Sequence, residues 1–231
     1  MNPNQNSKCF ECSEKSACFM KLSDNELALT NENKVQIRFK KGEIISKQGS
    51  FVTHIMYLKS GYAKVYKETS HNQDMILDII PAGQLIGLTS LFNNDNIARF
   101  SVATLDEAIV CSISRNAIEK LIYKNPNFAA SIIESLNKES LLFYDKMASL
   151  AQKQMNGRIA DALLYLSENI FHSTEFRMIL SRQEMADYTG MSMMSVVRTL
   201  QELKKEGIIA DEKGIIKIKA MEALRQISLI G

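Results

Sequence analysis

The chain has 231 residues, 45% of them hydrophobic, which is enough for one large domain or two small ones with a buried core. Its 28 basic and 26 acidic residues leave a formal net charge of +2, so charge neither requires nor excludes a nucleic-acid partner, and any DNA-binding prediction must rest on a local motif. No apolar run approaches the roughly 18 residues of a membrane helix, and the N-terminus lacks the apolar stretch of a secretory signal. We therefore expect a cytoplasmic protein without a membrane partner.

The first predicted segment, residues 1–22, is distinguished by its cysteines. Cys9, Cys12 and Cys18 lie in KCFECSEKSAC, and the fourth cysteine of the chain is Cys111. A disulfide framework is disfavoured, because cytosolic thiols are normally kept reduced and four cysteines are too few to staple a chain of this length. Thiolates are soft ligands that suit both zinc and iron–sulfur clusters, and four of them complete either site. Structural zinc sites usually use two close pairs of ligands, which this spacing does not provide, but spacing alone leaves cluster and zinc open.

Residues 23–126 are predicted to form a β-barrel. Short segments rich in Val, Ile and Tyr alternate with turns that contain Gly or Pro, a pattern typical of a barrel or sandwich. The segments are VQIRF, EIIS, HIMYL, YAKVYKE, MILDII, FSVATL and AIVCSI. A cupin-type enzyme would need clustered histidines and a carboxylate around a metal, but this region has only His54 and His71, without an H-x-H pair. Because the sequence also lacks a nucleotide-binding glycine loop and a nucleophile motif, we expect that the protein is not an enzyme.

A long helix is predicted from about Asn127 to Gln154, inside a segment, residues 127–155, that has no internal Gly or Pro. Side chains recur along it at spacings of three and four, which predicts a coiled-coil seam between two copies of the chain. The alternative is that this stripe packs on the chain's own barrel. The six seam positions are Ile133, Leu136, Ser140, Phe143, Met147 and Leu150.

Residues 156–231 have the pattern of a winged helix-turn-helix. Ser181 and Glu184 match a capping box of the form S-x-x-E at the start of one helix, which is expected to end at Gly190. Ser192 can cap a second helix that carries a single apolar stripe. Beyond Gly207, the stretch IIADEKGIIKIK predicts a small β-hairpin, or wing. Together these features predict DNA binding.

This order of a β-barrel, a long seam-bearing helix and a winged helix-turn-helix resembles the Crp/Fnr family of transcription regulators. The resemblance runs from about Cys9 to Lys219 and is carried by KGEIISKQG, HIMYLKSGYAKVY, IIPAGQLIGL, NGRIADALLYL and the helix-turn-helix itself. It implies an α+β chain with an N-terminal double-stranded β-helix barrel of the cyclic-nucleotide-binding type, a dimerisation helix and a C-terminal winged helix-turn-helix. It also implies a homodimer that binds palindromic double-stranded DNA and acts with RNA polymerase.

Within that family, the cysteines resemble those of the Fnr-type iron–sulfur oxygen sensors. Those sensors have an N-terminal C-x2-C-x5-C and a fourth ligand at the end of the barrel, and this sequence matches them at Cys9, Cys12, Cys18 and Cys111. The resemblance implies that these four cysteines hold a [4Fe–4S] cluster through which the protein senses oxygen or a related oxidant such as nitric oxide. The alternative is a regulator that responds to haem or a small ligand in its barrel, with cysteines that bind zinc or act as redox thiols.

A cyclic nucleotide is not expected as a ligand of the barrel. In the cAMP-binding branch of the family, a glutamate follows the glycine of a G-E-L motif, but here Leu88, which cannot accept a hydrogen bond, follows Gly87. The Arg-Ser pair that holds the phosphate in that branch is matched only by Arg99 and Phe100. A buried ribose hydroxyl left without a partner costs on the order of 1–3 kcal/mol.

Two departures from the family pattern concern dimerisation and DNA sequence. Phe143 stands where the oxygen sensors have an aspartate whose charge separates the cluster-free subunits, so we expect the cluster-free protein to remain dimeric. Met194 stands where family members have a glutamate that reads cytosine, whereas Arg198 keeps the arginine that reads guanine, so we expect a different half-site. The DNA-contacting residues that the resemblance implies are Arg182, Gln183, Ser192, Met194, Ser195 and Arg198.

Overall fold

A computed structural model of the protein describes residues 9, 15–32, 34–69, 74–93 and 95–231. Contacts divide the chain into two compact units, Met1–Lys67 with Ile79–Ser140, and Glu68–Asp78 with Leu141–Gly231. The division falls inside one strand and one long helix, so these two elements contribute residues to both units. The finer division into residues 1–22, 23–126, 127–155 and 156–231 stays a prediction.

Two four-stranded sheets form the barrel, with strand orders β1-β8-β3-β6 and β2-β7-β4-β5. Strand β8 pairs antiparallel with β1 and β3, and β7 pairs antiparallel with β2 and β4. All seven predicted strand segments are present with ends shifted by no more than two residues. Among the described residues of the barrel, only the two-residue strand β6 was not predicted. The strands are β1 (Lys34–Phe39), β2 (Ile44–Ser46), β3 (His54–Ser60), β4 (Tyr62–Lys67), β5 (Met75–Pro81), β6 (Leu85–Ile86), β7 (Ser101–Thr104) and β8 (Ala108–Ser114).

Strand β8 contributes to two separate apolar clusters, because successive side chains of a strand point to opposite faces of its sheet. Val110 belongs to the cluster that also contains Leu58, whereas Cys111 belongs to the cluster on the other face. This second cluster also receives Cys18 from the N-terminal segment and Phe128 from a helix. The sheet thus places Cys111 where the N-terminal segment can reach it.

Three helices accompany the barrel: α1 (Asp24–Glu32), α2 (Arg115–Lys124) and α3 (Pro126–Gln152). Helix α3 is the predicted long helix and ends two residues earlier than expected. Its start is fixed by Asn125, whose side-chain oxygen accepts a hydrogen bond of 3.0 Å from the Phe128 backbone N–H. Pro126 follows as the first helical residue, where a missing N–H costs nothing.

The second unit contains the predicted helix-turn-helix. The capping box is confirmed, since the Glu184 backbone N–H donates to Ser181 Oγ at 3.1 Å and the Ser181 N–H donates to the Glu184 carboxylate at 2.9 Å. Ser192 caps the next helix by accepting from the Ser195 N–H at 3.1 Å. The elements of the second unit that follow helix α3 are α4 (Met155–Tyr165), a π-helical turn (Leu166–Ile170), β9 (Glu175–Arg177), α5 (Arg182–Thr189), α6 (Met193–Lys205), β10 (Ile209–Glu212), β11 (Ile215–Ile218) and α7 (Met221–Ile230).

The wing is a three-stranded sheet of order β10-β11-β9. Lys213 and Gly214 form its two-residue turn with φ angles of 50° and 82°, as a hairpin turn of this length requires. The sequence predicted β10 and β11 but not β9 or helix α7. The α+β class, with a barrel, a long helix and a winged helix-turn-helix in that order, is confirmed. Within the described ranges, no helix is both long enough and apolar enough to cross a membrane.

Candidate functional sites

Cys111 lies in the middle of strand β8, between two neighbouring strands. It is opposite Gln36 of β1 and Tyr57 of β3, and it is 5% exposed. The ring of Phe19, from the N-terminal segment, packs edge-on against Tyr57 with 5.4 Å between ring centroids. The N-terminal segment therefore lies directly over the sheet face that carries Cys111.

Cys9 and Cys111 line one pocket, although they come from distant parts of the sequence. The pocket is partly open to solvent, and its cavity volume is about 20 Å³. The Cys9 backbone N–H donates to the side-chain oxygen of Asn31 at 3.2 Å, which attaches the cysteine to helix α1. The other residues that line the pocket are Lys15, Phe19, Leu27, Lys34, Tyr57 and Ile113.

Cys18 belongs to the same apolar cluster as Cys111 and is 7% exposed. Its thiol donates a hydrogen bond to the backbone carbonyl of Ser131 in helix α3, with 3.4 Å between sulfur and oxygen. The Ser131 hydroxyl in turn donates to the carbonyl of Phe128 at 2.7 Å. Cys18 is thus in direct contact with the helix that carries the predicted dimer seam.

The donor set fits a sulfur-ligated group in its chemistry. Cys9, Cys18 and Cys111 are not in disulfides, and all three contribute to one apolar cluster. Thiolates of this kind are the ligands of iron–sulfur clusters and of zinc. Cys12 lies outside the described residues, and among those described no three His, Cys, Asp or Glu side chains are grouped closely enough to hold a metal ion.

The predicted seam of helix α3 is divided between exposed and half-buried positions. Leu136 packs against the apolar cluster of Cys111, and Leu150 lies beside Gly190, so these two side chains contact the chain itself. The other four positions are exposed. Three of them carry large apolar side chains, which are rarely exposed together on a helix face that contacts only solvent. The four are Ile133 at 66%, Phe143 at 43%, Met147 at 48% and Ser140.

Helix α6 presents an exposed surface at its N-terminal end. Met194 is 80% exposed, and the Ser195 and Ser192 hydroxyl oxygens are 2.9 Å apart. The Arg198 side chain is exposed and donates from Nε to the Glu202 carboxylate at 3.1 Å. The opposite stripe of Val196, Leu200 and Leu203 is buried, as predicted, so the polar stripe faces solvent.

Arg182 and Gln183, at the start of helix α5, already have partners within the chain. The Arg182 guanidinium forms an ion pair with Asp211 of strand β10 in the wing. The Gln183 side-chain amide donates to the Asp187 carboxylate at 2.7 Å. A DNA contact by either residue therefore requires its side chain to leave or share that partner.

Lys146 of helix α3 forms the centre of a polar cluster in the second unit. Its Nζ donates to the carbonyls of Ile76 at 2.8 Å and Leu77 at 3.2 Å, and it lies 3.2 Å from the centroid of the Tyr188 ring on helix α5. Tyr165, whose ring stacks on Tyr188, donates its hydroxyl to Asp78 at 2.8 Å. The first helix of the helix-turn-helix is thereby tied to helix α3 and to the start of strand β5.

This environment gives Lys146 an unusual pKa. Loss of hydration lowers the Lys146 pKa to about 7, and the negative charge of Asp78 offsets only part of this effect. Burial also raises the pKa of the Tyr188 hydroxyl, which remains protonated. A lysine in an unfolded chain titrates near pH 10.4, so above pH 7 the unfolded state binds more protons than the folded state. Stability therefore rises with pH from about 7 towards 10.

We expect Lys146→Met to abolish that pH dependence. In the wild type, the free energy of unfolding should rise by about 1 kcal/mol per pH unit between pH 7 and 9, because one proton separates the two states. Urea unfolding of the full chain at pH 7, 8 and 9 measures the slope. Lys205→Met, which removes an exposed lysine from helix α6, should keep the wild-type slope. An unchanged slope in Lys146→Met would contradict the assignment.

Sequence reasoning missed three residues that the structure places at these sites. Lys34 is buried in the wall of the cysteine pocket, and the Ser131 carbonyl accepts a hydrogen bond from the Cys18 thiol. Lys146 connects helix α3 to strand β5 and helix α5. A lysine opening a strand and a serine within a helix carry no local signal of such roles. Lys146 lies on the flank of the predicted seam, a position that favours a solvated charge.

Comparison with known proteins finds two domain types in the order that the structure shows. A cyclic nucleotide-binding domain matches residues 36–125, and a Crp-like helix-turn-helix domain matches residues 157–227. The fumarate and nitrate reduction regulatory proteins of Yersinia pestis and of Escherichia coli strain K12 are each 26% identical to the chain over 226 residues, covering 95% of this chain and 90% of the relative.

Solved structures agree at the level of the fold. FixK2 from Bradyrhizobium japonicum superposes with a TM-score of 0.77 at 20% identity, covering 84% of this chain and 96% of FixK2. A mutant of CooA from Carboxydothermus hydrogenoformans superposes with a TM-score of 0.75 at 16% identity, covering 94% and 96% of the two chains.

A barrel followed by a long helix and a Crp-like helix-turn-helix defines the class of DNA-binding transcription regulators. The chain belongs to the Crp/Fnr family of transcription regulators. Members of this family bind DNA, act as dimers and are not enzymes.

Proposed function

We propose that this protein is a dimeric, sequence-specific regulator whose DNA binding responds to oxygen, or to a related oxidant such as nitric oxide, through a [4Fe–4S] cluster held by Cys9, Cys12, Cys18 and Cys111. The observation that carries the proposal is that Cys9 and Cys111 line one pocket, with Cys18 in the same apolar cluster. The C-x2-C-x5-C spacing and the names of the fumarate and nitrate reduction relatives support it. The cluster would supply reactivity towards the oxidant.

The contact between Cys18 and Ser131 supports a link from the cysteine pocket to the dimer helix. As a free thiol, Cys18 donates to the Ser131 carbonyl. As a ligand it is a thiolate, which has no proton to donate, so this hydrogen bond is available only to the cluster-free protein. Ser131 lies in helix α3 only two residues before the exposed Ile133. Loss of this hydrogen bond on cluster binding would therefore act on the helix near the start of the seam.

The DNA target in this proposal is a palindrome. A two-fold dimer places two copies of helix α6 in successive major grooves, roughly 34 Å apart along the DNA. Arg198 would donate to guanine, and Met194, which is 80% exposed, would contact a thymine methyl group. RNA polymerase would be the second partner of the DNA-bound dimer in the cytosol.

Visible spectroscopy under anaerobic conditions tests the proposed function. The purified protein should be coloured and should bleach on exposure to air, with a parallel change in its affinity for operator DNA. A colourless protein that contains zinc would contradict oxygen sensing through iron. A colour that persists in air with unchanged DNA affinity would contradict the regulatory role of the group.

We expect Phe143→Asp to separate the subunits. Phe143 is apolar and 43% exposed at a seam position, and two aspartates facing each other across the seam would repel in place of an apolar contact. Leu141→Asp is the matched control, because Leu141 is 56% exposed on the same helix but off the seam. Analytical ultracentrifugation of cluster-free protein should show dimers for the wild type and Leu141→Asp and monomers for Phe143→Asp. Wild-type monomers at micromolar concentration would contradict the proposal that the cluster-free protein stays dimeric.

A further inference from the structure

Lys34 is a buried cation in the wall of the cysteine pocket. It is the first residue of strand β1 and is only 7% exposed. A lysine is rarely buried to this extent, because its ammonium group loses much of its hydration there. Lys34 therefore brings a cationic side chain into the wall of the cysteine pocket.

Strand register places Lys34 on the same face of the sheet as Cys111. In the antiparallel pairing of β1 with β8, Lys34 is opposite Ile113 and Gln36 is opposite Cys111. Residues directly opposite share a face, as do residues two apart, so Lys34 and Cys111 are diagonal neighbours, about 7–8 Å apart in a regular ladder. Both side chains line the pocket that Cys9 also lines.

The group proposed for this pocket is an anion. Four thiolates around a [4Fe–4S] core of charge +2 give a total charge of −2, and adding one electron makes it −3 without forming or breaking a bond. Phe19, Leu27 and Ile113 provide apolar walls, which keep the local dielectric constant low and the Coulomb interaction strong. The net charge and solvent exposure around such a group set its reduction potential.

We propose that the ammonium group of Lys34 compensates the negative charge of the thiolate-bound cluster and so sets how readily the cluster gains or loses an electron. This inference rests on the proposed function. Lys34 is not a ligand, and its effect is electrostatic. A positive charge at this position favours the reduced form and opposes the loss of an electron to the oxidant, so it slows the response to oxygen.

A comparison of three variants of the full chain tests this role. Lys34→Met keeps most of the side-chain length and removes the charge, whereas Lys34→Arg keeps the charge. Lys41→Met removes an exposed lysine of the same unit and serves as the control. Each protein is purified anaerobically, its iron and sulfide are quantified, and the cluster is titrated with dithionite, which supplies the electron, while the reduced form is followed by electron paramagnetic resonance.

The equilibrium constant for reduction should fall on the order of tenfold in Lys34→Met, because removing a unit charge at this range costs the reduced form that much stabilisation. Lys34→Arg and Lys41→Met should match the wild type. Loss of the cluster from Lys34→Met with retention in Lys34→Arg would also support a need for the charge. An unchanged equilibrium constant, or loss of the cluster from both Lys34 variants, would overturn the proposed role of the Lys34 charge. Neither result would contradict the proposed function. A wild-type protein without iron and sulfide would overturn the proposed function and this inference together.

Discussion

Cys111→Ser is expected to leave the anaerobically purified protein without its cluster. Cys111 lies in the middle of strand β8, so its position is fixed by the sheet and no neighbouring residue can replace it. Serine has nearly the same shape but offers a hydroxyl group, which is a poor ligand for iron in a sulfur-ligated cluster. The barrel itself should fold normally, because the substitution creates neither a cavity nor a clash. We therefore expect a colourless, folded protein that has lost the oxygen-dependent part of its DNA affinity.

The measurement combines the anaerobic visible spectrum with fluorescence anisotropy of operator DNA, before and after exposure to air. Ser112→Ala is the matched control, because Ser112 is the next residue of the strand, is 7% exposed and points to the opposite face of the sheet. It should keep the colour and the response to air. Cys111→Ser protein with wild-type colour and wild-type operator affinity would show that Cys111 is not a ligand.

Arg198→Ala is expected to weaken binding to the preferred operator by 10- to 100-fold for each half-site that the arginine reads. An arginine that donates two hydrogen bonds to guanine is worth about 1–3 kcal/mol of discrimination against other bases. Arg198 is exposed on helix α6, and its Nε donates a hydrogen bond to the Glu202 carboxylate. The variant should also accept substitutions at the corresponding base pair.

Selection of binding sites from random DNA, followed by anisotropy on the selected operator, measures both effects. Arg225→Ala is a suitable control, because Arg225 is an exposed, ion-paired arginine of helix α7. It should select the wild-type consensus sequence and bind it with nearly wild-type affinity. If Arg198→Ala selects the same consensus with the same affinity, helix α6 does not read the half-site through this residue.

The local features of the fold could be predicted from the sequence because their causes are local. The capping box of Ser181 and Glu184 and the cap at Ser192 depend on residues three positions apart, and the structure has all of the corresponding hydrogen bonds. Strand β9 was missed because its three residues become a strand only by pairing with β11. Helix α7 was not predicted either, although ten residues at the C-terminus form it.

The sites could be predicted only in part, because their remaining features depend on distant residues. The placement of Cys9 and Cys111 in one pocket was expected from a family resemblance and not from any spacing rule. Leu136 fits the periodicity of a dimer seam, yet it packs against the chain's own apolar cluster. Arg182 is ion-paired with Asp211 of the wing, and no pattern in the sequence indicates that contact.

The central claim is that cysteines from two distant parts of the chain meet around an iron–sulfur core that the dimer helix can sense. Chemical analysis of the protein purified without air tests it most directly. The account predicts about four iron atoms and about four inorganic sulfides for each chain. Zinc without sulfide, or no metal at all, would contradict it.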